Sequence, residues 1–168
     1  QNRSIEFSIL IALPSAAGLF LLSTPIINIL FERGAFIAAD TFYTSKVLAF
    51  FSLGLPAYIL IKILVTCFFA REDTKTPLYI SFLCVIINII LSLLLIESFR
   101  EMGIAIATSI SAWVNCFVLF LVLILNKKIV IDNRLIINTF KILFSTIIMI
   151  IICYTLNKLI LIDILDSS

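Results

Sequence analysis

Residues 47–70 read VLAFFSLGLPAYILIKILVTCFFA, apolar almost throughout. A helix needs about 20 such residues to cross the roughly 30 Å of hydrocarbon in a bilayer, and no other feature of the chain restricts its folding as strongly. This run extends back to about Tyr43, and four more like it lie at about 5–31, 78–96, 104–125 and 138–159. Apolar residues make up 62% of the chain and charged residues 13%, against roughly 45–50% and 25% in soluble domains. A water-soluble domain of this size leaves too much surface exposed to hide such a composition. The chain is therefore predicted to be all-α, a polytopic transmembrane helix bundle with five spanning helices.

The same composition excludes several functions. A formal net charge of +2 with no basic cluster interleaved with aromatic residues gives nucleic acid nothing to bind. Histidine is absent, and with it the usual neutral-pH proton carrier and commonest metal ligand. Cys67, Cys84, Cys116 and Cys153 fall one to a run without metal-ligand spacing, as small packing residues do. There is no glycine-rich phosphate loop, no close carboxylate pair within a span and no serine with a histidine to activate it. Neither a catalytic residue nor a cofactor or metal is expected. The chain opens Gln1-Asn2-Arg3 and enters an apolar run too long for a signal peptide, as expected of a piece of a longer protein.

Punctuation divides the runs. Pro14 and Pro25 lie within the first, beside Ser15, Ser23 and Thr24, which predicts a kinked helix. Gly54 and Pro56 interrupt the second softly; Pro77 opens the third at its first helical position, and the fourth starts after Gly103. With the N-terminus cytoplasmic, the inner side holds Arg3, Arg71, Lys75, Lys127, Lys128, Arg134 and Lys141, and the outer side Arg33, Lys46, Arg100 and Lys158. Seven basic residues against four favour that orientation.

Helix faces then pick out candidate residues. Gly54, Tyr58, Lys62 and Thr66 recur every four residues along one side of the second helix, as do Ser81, Cys84, Asn88 and Ser92 (spaced three and four) along the third. Ala105, Thr108, Ala112 and Asn115 form a small-and-polar stripe on the fourth, beside Ser109 and Ser111. Such stripes either pack helices closely or border a water-filled cavity. The fifth helix reads as apolar all round and facing lipid. Lys62 lies nine residues before Arg71, about 13 Å below the interface that Arg71 marks. A cation there belongs to a pathway or a buried pair, and no carboxylate in the five spans lies at matching depth. Tyr58, Lys62, Thr66, Asn88 and Asn115 are therefore the substrate-pathway candidates. Arg71-Glu72-Asp73-Thr74-Lys75-Thr76-Pro77 reads as a tight hinge between antiparallel helices, with Asp73 or Thr74 capping the next helix. On the other side, Arg33 and Gly34 sit in a turn, Gly34 supplying a positive φ and Arg33 an interfacial anchor.

The segments GLFLL, PIINILFERGAF, GLPAYILIKIL, FFAREDTKTP and GIAIATSISAWVN occur in that order between Gly18 and Asn115. Together they resemble the C-terminal half of the MurJ/MviN lipid II flippases, of the multidrug/oligosaccharidyl-lipid/polysaccharide exporter superfamily. The likeness covers roughly Ile5 to Leu125, and includes the LFERGAF turn (Leu30 to Phe36) and the ARxDTxTP hinge (Ala70 to Pro77). It implies part of a larger two-lobe, alternating-access transporter in the bacterial inner membrane. Its cargo would be the undecaprenyl-linked peptidoglycan precursor, and its partners membrane lipids and the missing N-terminal helices of the same protein. Residues 1–126 would be four helices of the second lobe, 127–137 a cytoplasmic connection, and 138–168 a fifth helix with a short tail. Lys62 matches a lysine of the family pattern; Arg71, Asp73, Thr76 and Pro77 match its hinge, and Lys46 a position that is basic in some members. Glu6 departs from it. A polysaccharide-lipid flippase, a cation-coupled exporter of the same superfamily, and a non-transporting membrane remnant are the alternatives.

Overall fold

The computed structural model describes residues 2–126 and 132–166, apart from the side chains at 133 and 157–166. Six helices follow in order: α1 (Asn2–Leu21), α2 (Ser23–Phe31), α3 (Ala38–Phe69), α4 (Lys75–Phe99), α5 (Glu101–Leu125) and α6 (Asn133–Asp166). There is no strand among the described residues. Among the described residues five helices are long and apolar enough to cross a membrane: α1, α3, α4, α5 and the Arg134–Leu156 part of α6. Because successive spans alternate in direction, Arg3, Arg71, Lys75, Arg134 and Lys141 fall on one face and Arg33, Lys46 and Arg100 on the other. Lys127 and Lys128 lie outside the described residues, as does the Lys158 side chain.

The first run is divided at Leu22, and Pro25 accounts for the place. Proline lacks the N–H that would bond the Leu21 carbonyl, and its ring crowds that oxygen. The ladder otherwise continues on both sides, from Leu22 N to Gly18 O at 2.9 Å and from Ile26 N to Leu22 O at 2.9 Å. Pro14 leaves α1 unbroken, and Gly54 and Pro56 leave α3 unbroken over 32 residues. At about 1.5 Å per residue α3 is roughly 48 Å long, more than the hydrocarbon layer needs. Its first turns, with Asp40 and Lys46, extend into the headgroup layer, where Lys46 Nζ sits 3.9 Å over the Phe42 ring.

α5 is the central helix. It packs against α3 along one side and α4 along another, while α3 and α4 barely meet. The stripe of small residues makes the α3–α5 approach possible: a Cβ on Gly54 would lie 2.8 Å from Ser109 Oγ and 3.0 Å from Ser109 Cα. Where lipid tails are as apolar as leucine, helix association depends on such close packing and on interhelical hydrogen bonds. Ser109 Oγ donates to the Phe50 carbonyl at 2.7 Å, and Trp113 Nε1 to that of Leu53 at 2.9 Å. Below this crossing, Leu64, Phe68, Leu119 and Leu123 are fully buried.

Several boundaries differ from those read in the sequence. α4 begins at Lys75, so Pro77 is its third residue and not its first; its missing N–H still falls in the first turn, where no intrahelical partner exists. Gly103 lies inside the first turn of α5 and not before it. α6 begins at Asn133, five residues before the expected Asn138, and stays helical to Asp166 where a short tail was expected. It is not apolar all round either. Asn138, Ile142 and Thr146 form a stripe turned toward α1, with the last two buried, and Asn138 Nδ2 donates to Glu6 Oε1. Among the described residues α6 packs on α1 alone, leaving an apolar cleft beside it lined by Phe20, Pro56, Trp113 and Ile147.

The hinge of the ARxDTxTP pattern is a helix stop followed by a helix start. Glu72, at φ 60°, takes the left-handed conformation that ends α3. Asp73 N then bonds Phe68 O at 3.2 Å and Glu72 N bonds Phe69 O at 3.0 Å, the paired pattern of a Schellman cap. Of the two proposed caps for α4 it is Asp73 that acts: Thr76 donates to it from its backbone N at 3.1 Å and from Oγ1 at 3.0 Å. Thr74 makes no side-chain cap. Asp73→Ala is expected to lower stability in detergent by about 1 kcal/mol, and Thr74→Ala to leave it unchanged, as read by thermal unfolding. Beyond the turn the two helices diverge, so the hinge does not clamp a tight antiparallel pair.

The outer turn is held by a residue that the sequence did not single out. Glu32 Oε2 accepts from Asn28 Nδ2 and from Thr41 Oγ1, each at 2.7 Å, and so ties α2 to α3. Gly34 has the expected positive φ, 62°. Arg33 is exposed and bonds back to the Ile29 carbonyl at 3.3 Å.

Candidate functional site

The divergence of α3 and α4 opens a groove between them whose floor is α5. Tyr58 contributes from α3, Ser81 and Asn88 from α4, and Ser111 and Asn115 from α5, around a cavity of about 170 Å³. Periodicity sets each group on one face of its helix, and the packing of α3 and α4 on α5 brings the faces together. Tyr58 lies on the α3 stripe, Ser81 and Asn88 seven residues apart on one side of α4, and Ser111 and Asn115 one turn apart on α5. Three of the five pathway candidates, Tyr58, Asn88 and Asn115, thus share one site although they come from different helices.

Hydrogen bonding in the groove is incomplete. Tyr58 Oη donates to the Thr108 carbonyl at 3.3 Å, Ser111 Oγ to the same carbonyl at 3.0 Å, and Ser92 Oγ to Asn88 Oδ1 at 3.0 Å. Asn115 Oδ1 is buried and has no partner among the described residues. A buried acceptor left unmade is costly, and more so where no water competes to satisfy it. Among the described residues no carboxylate, lysine or arginine lines the groove, whose ionisable groups are the Tyr58 hydroxyl and the Cys84 thiol, so it can hold a neutral hydrogen-bonding group or the polar side chain of a further helix. Asn115→Leu is expected to leave the melting temperature of the chain unchanged or raise stability by about 1 kcal/mol, because it removes an unmet acceptor.

Lys62 and Thr66 lie on the same face of α3 as Tyr58, further toward its C-terminal end, but outside the groove lining. Both are exposed. Thr66 Oγ1 donates to the Ile63 carbonyl of its own helix at 2.7 Å. Lys62 has no ion pair or hydrogen bond among the described residues. A cation that far inside a span costs about 2.5–3.5 kcal/mol or more against acyl chains. Its side chain is too short to bring the ammonium wholly to the interface. The face carrying Tyr58, Lys62 and Thr66 therefore suits water or another polypeptide better than lipid.

Sequence reading passed over Trp113, which stands beside the cleft next to α6 and bonds α3. An indole N–H in an apolar run needs an acceptor, and that was the available signal.

Comparison with known proteins gives this arrangement its relatives. The family model described as lipid II flippase MurJ matches residues 1–163. A probable lipid II flippase MurJ from Rickettsia prowazekii is 48% identical over 120 residues, 71% of this chain and 24% of that protein. One from Rhizobium tropici is 49% identical over 123 residues, 73% of this chain and 23% of that protein. The chain thus spans about a quarter of the length of these curated relatives. The solved structure of lipid II flippase MurJ in its inward closed conformation matches with a TM-score of 0.81 at 32% identity, over 92% of this chain and 32% of that one. With its helices in that arrangement and the family pattern running along almost its whole length, the chain belongs to the MurJ lipid II flippase family.

Proposed function

We propose that this chain forms part of a lipid II flippase, which moves undecaprenyl-pyrophosphate-linked peptidoglycan precursor from the cytoplasmic to the periplasmic leaflet by alternating access. The observation that carries the proposal is the kinship along the chain, which includes the outer turn and the hinge as well as the apolar spans. The exposed Tyr58–Lys62–Thr66 face supports it, since a polar face in mid-span fits a headgroup route or the helices of a second lobe. Residues 1–126 supply four membrane spans of one lobe, α1, α3, α4 and α5, and α6 stands apart as the first span beyond it. The protein lies in the bacterial inner membrane, with Arg3, Arg71, Lys75, Arg134 and Lys141 on the cytoplasmic face. The cleft beside α6 offers the hydrocarbon tail an apolar wall while the headgroup crosses. Transport needs no bond to be made or broken, and the amides and hydroxyls of the groove offer hydrogen bonds to a passing group.

Depleting the full-length protein and following lipid-linked precursor on each leaflet tests this. Precursor accumulating on the inner leaflet is the expected result; unchanged outward transfer would defeat the proposal.

A further inference from the structure

A second cleft lies between the N-terminal halves of α1 and α6, about 350 Å³ in volume and sharing no lining residue with the groove between α3 and α4. Arg3 on α1 and Arg134 and Lys141 on α6 surround it, with Glu6 as its one carboxylate. Glu6 Oε1 already accepts a hydrogen bond from Asn138. Among the described residues none of the three cations makes an ion pair or a hydrogen bond, so three positive charges face the cleft against one negative.

The cleft is also graded. Arg3 and Arg134 stand at the helix starts, at the membrane face, whereas Leu10 and Ile142 lie about 10–13 Å deeper along their helices. Lys141 sits at a similar depth but can extend its ammonium back toward the face. Charge at the mouth and apolar walls behind it, Phe7 and Leu10 on one side and Ile142 on the other, match an amphiphile. A soluble anion would use only the mouth.

The geometry points to a binding site for the phosphate group of an anionic membrane lipid between α1 and α6, with Arg3, Arg134 and Lys141 as its ligands and Phe7, Leu10 and Ile142 against the upper acyl carbons. Arginine binds phosphate through paired N–H groups in a fixed fork. Juxtamembrane cations each strengthen attachment to anionic lipid. Glu6 and Asn138 hold the two helices together at the level of the cleft and so keep the cations at a fixed spacing. A lipid seated there would bridge α1 to α6, which among the described residues leans on no other helix. The assignment does not rest on the transport proposal, and the test below reads lipid retention and not transport.

Native mass spectrometry of the full-length protein in mild detergent, titrated with phosphatidylglycerol or phosphatidylcholine, tests it. Selective retention of one phosphatidylglycerol is expected, weakened on the order of a hundredfold in the triple variant Arg3→Gln, Arg134→Gln, Lys141→Gln. The charge-preserving variant Arg3→Lys, Arg134→Lys, Lys141→Arg should retain the lipid, which separates loss of the site from loss of the fold. Lys75→Gln, on the same membrane face but outside the cleft, should change nothing. Equal retention of both lipids, undiminished binding by the triple glutamine variant, or the same loss in Lys75→Gln would each overturn the site. Inorganic phosphate that raises the melting temperature without lipid, and does so only when the three cations are present, would make the ligand a soluble anion and overturn the lipid assignment.

Discussion

Gly103→Ala is expected to prevent α4 and α5 from closing on each other and to leave little folded protein in detergent. The Cβ that alanine adds would lie 2.5 Å from the Leu95 carbonyl oxygen and 2.7 Å from its carbon. Both are backbone atoms of α4, and no rotamer change can move them aside. Overpacking typically costs about 1–3 kcal/mol, and a clash with main chain belongs at the top of that range. The site admits little relief, because the connection between the helices is the single residue Arg100, already in the left-handed region at φ 50°. Gly18→Ala supplies the control with opposite sign: nothing lies within 4 Å of a Cβ there, so helix propensity alone should stabilise α1 by about 0.5–1 kcal/mol. Melting temperatures of the two variants in the same detergent check both. A Gly103→Ala protein as stable as the parent would contradict the α4–α5 contact described above.

Lys62→Glu in the full-length protein is expected to abolish rescue of a strain lacking the flippase, with Lys62→Arg retaining most of it. Reversing a charge near an anionic group exchanges attraction for repulsion, on the order of 3 kcal/mol at the dielectric of a partly wet site, or about a hundredfold in rate. The fold should not suffer, since Lys62 is exposed and holds no partner among the described residues. Membrane abundance and melting temperature equal to the parent would separate a transport defect from misfolding. Normal growth with glutamate at this position would defeat the proposal that Lys62 lies on a substrate route.

The five spans could be read from the sequence because a bilayer selects for length and apolarity, and both are local properties. Gly34 was equally legible, since a turn of that length requires a left-handed residue. Helical periodicity put Tyr58, Asn88 and Asn115 on their stripes, but their meeting in one groove depends on α3 and α4 packing on α5. What escaped were choices made by tertiary contact. Glu6 looked like a departure from its family until α6 brought Asn138 to it across 132 positions of chain. Glu32 drew no notice in the outer turn, because its role depends on Thr41 arriving from the next helix. Gly103 read as a break because glycine usually ends helices, whereas here it sits inside one to admit a neighbouring carbonyl. Arg100 and Glu72 adopt a conformation glycine would take more cheaply, and residue type gave no warning of either.

The near-solitary placement of α4 has a mechanical outcome. It buries only Pro77 and Cys84 and touches α5 along its length but α3 hardly at all. With the α3–α5 seam locked by the Gly54–Ser109 approach and its hydrogen bonds, α4 is the wall of the groove least held by its neighbours, tied to α5 by the close seat of Gly103 on Leu95 and to α3 by the turn at Glu72 and Asp73. A lean of α4 against the fixed α3–α5 pair would widen or narrow the slot between Asn88 and Asn115 without bending any helix.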